Sequence, residues 1–168
     1  MDKYVSEKIK GLEIRNAEEN DIPLILNFIR ELAEYEKLLN EVVATEEILK
    51  ESLFIRNAAE VIIAEYCNEP VGFALFFHNF STFMGLPGLY LEDLYVKPHM
   101  RGKGIGKYML SYLAKLAVDR NCGRFEWWCL DWNESSINFY KSIGAIPMDE
   151  WTVFRVHNEA LYKLANEL

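Results

Sequence analysis

The hexapeptide Arg101-Gly102-Lys103-Gly104-Ile105-Gly106 has the composition of an anion cradle. Glycines at alternate positions let the backbone turn tightly and leave its N–H groups unhindered. The apolar run 89–96 reads as a strand leading into it, and Pro98 ends that run because proline donates no ladder hydrogen bond. Downstream, Ile105, Met109, Tyr112, Leu113, Leu116 and Ala117 recur at helical spacing. The loop therefore opens a helix, where orphan N–H groups and the positive end of the dipole favour phosphate. Arg101 and Lys103 add cationic donors beside it. Two familiar phosphate loops do not fit. A Walker loop requires Ser or Thr where Tyr108 follows Gly106-Lys107. A dinucleotide fingerprint requires a third glycine where Lys107 or Met109 stands. What matches is Arg-x-x-Gly-x-Gly, on Arg101, Gly104 and Gly106, and it suits a diphosphate.

Acid chemistry sits just upstream. Glu92 and Asp93 interrupt the apolar strand, where carboxylates are disfavoured unless they serve something. Solvated acids on an edge strand are the plain alternative, and Leu89, Leu91, Leu94 and Val96 around them weigh against it. Adjacent strand residues face opposite sides, so the pair enters one site only across a bulge. A second titratable candidate is Tyr140, within Asn133-Glu-Ser-Ser-Ile-Asn-Phe-Tyr-Lys. It shares a helix face with Ile137 and Gly144, so a packed tyrosine is its alternative reading. A third is Glu36, which falls next on the apolar stripe Ile22, Ile25, Ile29, Leu32, Ala33, beside Tyr35. Such a carboxylate either lies beyond the packed region or faces a polar cavity.

These groups need a scaffold. The chain has 168 residues, 51% of them hydrophobic, enough for one domain over 1–168 with a substantial core. Residues 1–11 read as a loose lead-in and 12–16 as a first strand. A helix follows from residue 18 or 21 to 39, and a second, capped by Thr45, to about 54. Strands at 60–67 and 70–79 join through Asn68-Glu69, and both are too continuously apolar to face water on one side. Further strands are expected at 125–130 and 151–157, and helices at 134–143 and 159–168. The class is α+β (α/β by looser naming), a mostly antiparallel sheet with helices on both faces. A net charge of −8 argues against nucleic acid and anionic membranes and suits a cationic partner. No run resembles a signal peptide or spans a bilayer, and three scattered cysteines read as reduced thiols, so a cytoplasmic protein is expected. No spacing of Cys or His suits a metal.

Together, Tyr90-Leu-Glu-Asp-Leu-Tyr-Val, Arg101-Gly-Lys-Gly-Ile-Gly, Trp132-Asn-Glu-Ser-Ser-Ile-Asn-Phe-Tyr-Lys and Glu31-Leu-Ala-Glu-Tyr-Glu resemble the GNAT superfamily of N-acetyltransferases. The likeness is to its diamine (spermidine/spermine) or thialysine branch and spans most of residues 12–165. It implies a GNAT-like sheet, acetyl-CoA as cosubstrate, a small cationic amine as acceptor, a homodimer, and direct transfer without an acyl-enzyme. It also implies that Glu92 is the base and Tyr140 the acid on the thiol side. Leu94, Tyr95, Val96, Arg101 to Gly106 (Gly102, Lys103, Gly104 and Ile105 included), Asn133, Ser136 and Tyr140 then match cofactor positions. Tyr35 and Glu36 match amine-recognition positions, with Glu92, Asp93 and Trp128 beside them. The chemistry is consistent with those residue types. An alkylamine with pKa near 10.4 is about 3 units, or about 4–5 kcal/mol, from its nucleophilic form at neutral pH, so a carboxylate must take its proton. A backbone N–H such as that of Leu94 serves the thioester oxygen if the strand splays from its neighbour. Tryptophan offers an ammonium a cation–π surface. Glu126-Trp127-Trp128 and Asp149-Glu150-Trp151 are departures within that branch, so the amine's identity stays open. Acylation of a protein lysine or N-terminus, and a non-catalytic acyl-CoA-binding sensor, are the other readings.

Overall fold

The computed structural model describes residues 3–168, which form two compact units, 3–128 and 129–168. The first is built on a six-stranded sheet in the order β1-β2-β3-β4-β5-β6. Its strands are β1 (Tyr4–Val5), β2 (Leu12–Asn16), β3 (Glu60–Tyr66), β4 (Glu69–Ser81), β5 (Leu86–Val96) and β6 (Arg124–Trp127). All neighbours run antiparallel except β5 and β6. That one parallel step needs a crossover, and α3 (Ile105–Asp119) supplies it.

Consecutive residues Phe73 and Ala74 are both fully buried, so both faces of the sheet are covered. On one face α1 (Ile22–Tyr35) brings Ile22, Ile25, Leu26 and Phe28 onto Val61, Phe73 and Tyr95. The Phe28 and Phe73 rings stack there at 5.5 Å. Elsewhere Ile105, Met109, Leu110, Leu113 and Ala117 give α3 its own buried stripe. Helix α2 (Glu46–Leu49), capped by the Thr45 side chain accepting from the Ile48 N–H, continues as a π-helical segment, Lys50–Ile55.

Several expectations are corrected. Of the lead-in, Met1 and Asp2 lie outside the described residues, but β1 pairs with β2 in the register Tyr4↔Ile14 and Val5↔Glu13. The β3–β4 turn falls one residue early, at Cys67 and Asn68, both at positive φ as a tight two-residue hairpin turn requires. Strand β6 stops at Trp127 rather than 130. The second unit holds two helices, α4 (Glu134–Ser142) and α5 (Asn158–Ala165), and 151–157 forms no strand. A strand needs a ladder partner, and no other segment of that unit is extended into one.

Helix α1 stops at Tyr35, four residues before the position expected from its periodicity. The Leu38 N–H donates to the Ala33 carbonyl at 2.8 Å and the Lys37 N–H to the Glu34 carbonyl at 3.1 Å, a Schellman closure. Glycine normally takes the left-handed position in that motif, but here Lys37 does, at φ 63°. The stop is therefore not marked in the sequence. Lys37→Gly is expected to relieve about 1 kcal/mol of this strain and to raise the melting temperature by roughly 2–4 °C, read by circular dichroism.

Candidate active site

Strand β5 carries the acids on an irregularity. On β4, consecutive Leu75 and Phe76 face Asp93 and Leu91, so Glu92 is an extra residue on β5 with no opposite number. This is the bulge that the two acids require. Glu92 is exposed despite its mid-strand place. Asp93 shares a face with its partner Leu75, which packs on the α1 cluster. Burial, then the charges of Glu92 and Glu36, push the Asp93 carboxyl up to about 6. Burial alone raises Glu36, which caps the C-terminal end of α1. Among the described residues, none of these three carboxylates stands in an ion pair. They concentrate negative charge at a desolvated spot, which suits an ammonium ion.

The β5–β6 ladder also ends here. Its pairs run from Gly88↔Arg124 to Leu91↔Trp127, and no pair continues beyond Leu91. From Glu92 onward β5 presents its backbone on that side without a strand partner. Leu94 and Val96 lie in this stretch, as a backbone site for an acyl group requires. Tyr95 is there as backbone only. Its ring is buried against Phe28, and burial, then the nearby Glu31 carboxylate, pushes its phenol up to about 12.

The glycine-rich loop follows as anticipated. Gly102 and Gly104 sit at φ 76° and 81°, left-handed conformations that glycine adopts without the strain a side chain would add. Gly104 is the N-cap of α3, and no side chain caps this helix, whereas Thr45 and Asn133 cap α2 and α4. The first-turn N–H groups of α3 are thus left for an anion, and the residues fit a diphosphate. Ile105 is buried in the core and offers the loop its backbone alone. The two cations also have partners within the protein. The Arg101 Nε–H donates to the Val96 carbonyl at 2.9 Å, and its guanidinium stacks on Tyr35 at 4.4 Å and Tyr95 at 5.6 Å. Lys103 reaches the Met100 sulfur at 3.3 Å and lies over Tyr66. The sequence names both as cationic donors beside the loop; their aromatic partners, on α1, β3 and β5, are set by the fold.

Arg101 thereby ties the loop to Tyr35, so the structure gathers Tyr35, Glu36, Glu92, Asp93 and the 101–106 loop within the first unit. Trp128 sits edge-on to Tyr90 at 5.9 Å. Within the second unit, the Asn133 side chain accepts from the Ser136 N–H at 3.3 Å and starts α4. Tyr140 lies on that helix beside Phe139. Asn133 and Ser136 thus shape the helix that presents Tyr140. Among the described residues no cluster could hold a metal ion, and no helix is long and apolar enough to cross a membrane.

Residues 26–145 match the sequence profile of the Acetyltransferase (GNAT) family, which brackets the bulge, the loop and Tyr140. The chain belongs to this family. It is an N-acetyltransferase. It is 40% identical to the thialysine N-epsilon-acetyltransferase of Sus scrofa, over 92% of this chain and 97% of that one. It is 31% identical to an L-ornithine N5-acetyltransferase of Arabidopsis thaliana, over 88% of this chain and 85% of that one. Among solved structures it resembles an integron cassette protein of V. cholerae with a TM-score of 0.78 and 29% identity, over 92% of this chain and 98% of that one.

The raised Asp93 carboxyl makes a stability prediction for this acetyltransferase. Because its folded pKa lies above the ordinary value of 3.8, the folded state holds a proton that the unfolded chain releases. The contribution of this group to stability is therefore greatest below about pH 4 and is lost as pH rises to about 6. Asp93→Asn is expected to stabilise the protein by on the order of 2 kcal/mol at pH 7, with the gain vanishing near pH 4. Urea titrations of both proteins across that range check it, and a gain independent of pH would contradict the assignment.

Proposed function

We propose that this acetyltransferase moves an acetyl group from acetyl-CoA to the primary amine of a small cationic substrate, by direct transfer within a ternary complex. The observation that carries the proposal is the group of three carboxylates, Glu36, Glu92 and Asp93, at the bulge beside the end of the β5–β6 ladder. Charge of this kind recognises an ammonium, and the ladder's end gives the acyl group a place next to it. The names of two relatives, thialysine and L-ornithine acetyltransferases, agree in placing an amine on a short amino-acid side chain. A polyamine or diamine is the second chemistry the same charges accept. The profile match across 26–145 supports reading both units as one catalytic domain.

Each group then has a task. The glycine loop and the first turn of α3 hold the diphosphate of the cofactor, which supplies the acetyl group as a thioester. Glu36 and Asp93 attract the ammonium, with Tyr35 and Trp128 offering it aromatic faces. Glu92, exposed at the bulge, takes the amine's proton directly or through water. The Leu94 N–H stabilises the thioester oxygen. Tyr140 donates a hydrogen bond to the leaving thiolate, and the transfer is concerted, since a phenol is a weaker acid than a thiol. A homodimer belongs to this proposal and is checked by light scattering.

The test is thiol release from acetyl-CoA against thialysine, ornithine, lysine, putrescine, spermidine, spermine and a short lysine peptide. Saturable turnover is expected with one of the small amines and not with the peptide. Glu92→Gln should lower kcat by about 10²–10⁴-fold, and Tyr140→Phe by a smaller factor. The KM for the amine should rise as pH falls through about 6, because Asp93 then loses its charge. Full activity in both variants would overturn the assigned mechanism, and turnover of the peptide alone would move the acceptor to a protein.

A further inference from the structure

We propose that the N-terminal hairpin, residues 3–12, is a brace that holds the glycine loop in its anion-binding conformation, with Ile9 as its positioning residue. This rests on the reading of the loop as the cofactor's phosphate site. The hairpin is built to be rigid. The Lys3 ammonium bridges Glu13 at 3.0 Å and Glu65 at 3.2 Å, fastening β1 across β2 to β3. Ser6, only 5% exposed, donates its N–H to the Leu12 carbonyl at 2.9 Å. Its hydroxyl oxygen accepts from the Ile9 N–H at 2.9 Å, and the Leu12 N–H closes onto the Ile9 carbonyl at 3.0 Å. Ile9 is thereby fixed, half-buried, at the apex of a closed turn.

The hairpin approaches both the loop and the helix that the loop opens. The Ile9 Cδ1 stands 3.6 Å from the point where a Cβ on Gly104 would lie, and no other non-neighbouring group comes within 4 Å of that point. Tyr4 meets α3 directly, its ring 5.6 Å from that of Tyr112 and 6.3 Å from that of Tyr108. Arg101 on Tyr35 and Tyr95 and the buried Ile105 hold the two ends of the loop, and the glycine backbone between them has less support. Residues 101–104 are all exposed, and nothing lies within 4 Å of the corresponding point at Gly102. Glycine backbone left to itself samples many conformations, and ordering it at the moment of binding subtracts from affinity. A brace that orders Gly104 beforehand removes that loss. The hairpin thus sets cofactor affinity without touching either substrate.

The experiment is calorimetric titration of CoA into the full-length wild type, Ile9→Ala, Ile9→Leu and Tyr4→Ala, with hydrogen–deuterium exchange of residues 101–107 in each. Ile9→Ala is expected to weaken CoA binding about tenfold, the scale of one loop residue left to be ordered. It should speed loop exchange, raise the KM for acetyl-CoA in parallel, and leave the amine KM and the kcat at saturation within about twofold. Ile9→Leu should restore affinity, and Tyr4→Ala should reproduce a part of the loss. Unchanged affinity and exchange in both alanine variants would overturn the brace while the cofactor reading stands. A wild type that binds no CoA overturns the cofactor reading, and with it the role given to the brace. A purely structural role would instead lower the melting temperature and the kcat together.

Discussion

Strand β5 cannot keep two regular ladders at once, and the site follows from how it fails. On the β4 side it absorbs an extra residue at Glu92. On the β6 side its pairing ends at Leu91, one residue earlier. The two interruptions coincide. A carboxylate is freed from the alternation of the strand at the same place where backbone groups lose their cross-strand partner. One distortion therefore frees both a carboxylate and a stretch of polar backbone from the ladder, and a regular sheet offers neither.

The distortion costs stability, and the rest of the first unit offsets that cost. Asp93 is held charged in a desolvated place between two other acids, so the fold carries an electrostatic penalty at neutral pH. Around it the packing is dense, with Phe28 stacked on Phe73, Tyr95 buried against Phe28, and Val61 and Leu53 closing the cluster. The strained Lys37 belongs to the same region, because its left-handed backbone ends α1 at Tyr35 and leaves Glu36 at the cap. Strain and unfavourable charge gather where an ammonium ligand would relieve the charge, as expected of a binding site.

Arg101 links the two halves of the chemistry. It begins the loop that suits a diphosphate, yet its guanidinium lies on Tyr35 and holds the Val96 carbonyl. The loop itself relies on uncapped helix N–H groups and two left-handed glycines. Backbone groups suit that task because they are fixed by the fold and add no flexible side chain that must be ordered on binding.

Much of this was legible in the residues alone. The strand, loop and helix around 90–116 follow from local rules, since proline, glycine spacing and a 3.6-residue period act over a few positions. The membership of the acetyltransferase family rests on the same local motifs. The bulge at Glu92 could be required from the sequence, because two adjacent acids cannot otherwise share a site, but only the register against Leu75 and Phe76 located it. What stayed hidden depended on partners distant in the chain. Arg101 and Lys103 read as cationic donors beside the loop, but that Tyr35, Tyr95 and Tyr66 lie beneath them was decided by the fold. The first eleven residues read as a loose lead-in because a two-residue strand has no signature of its own. It forms by pairing with β2 and by a lysine that reaches Glu65 across 62 positions. Residues 151–157 have the composition of a strand and form none, since composition cannot supply the ladder partner that makes one. Local chemistry is written in neighbouring residues; charge pairing, ring stacking and register are decided by whichever segments the tertiary fold sets side by side.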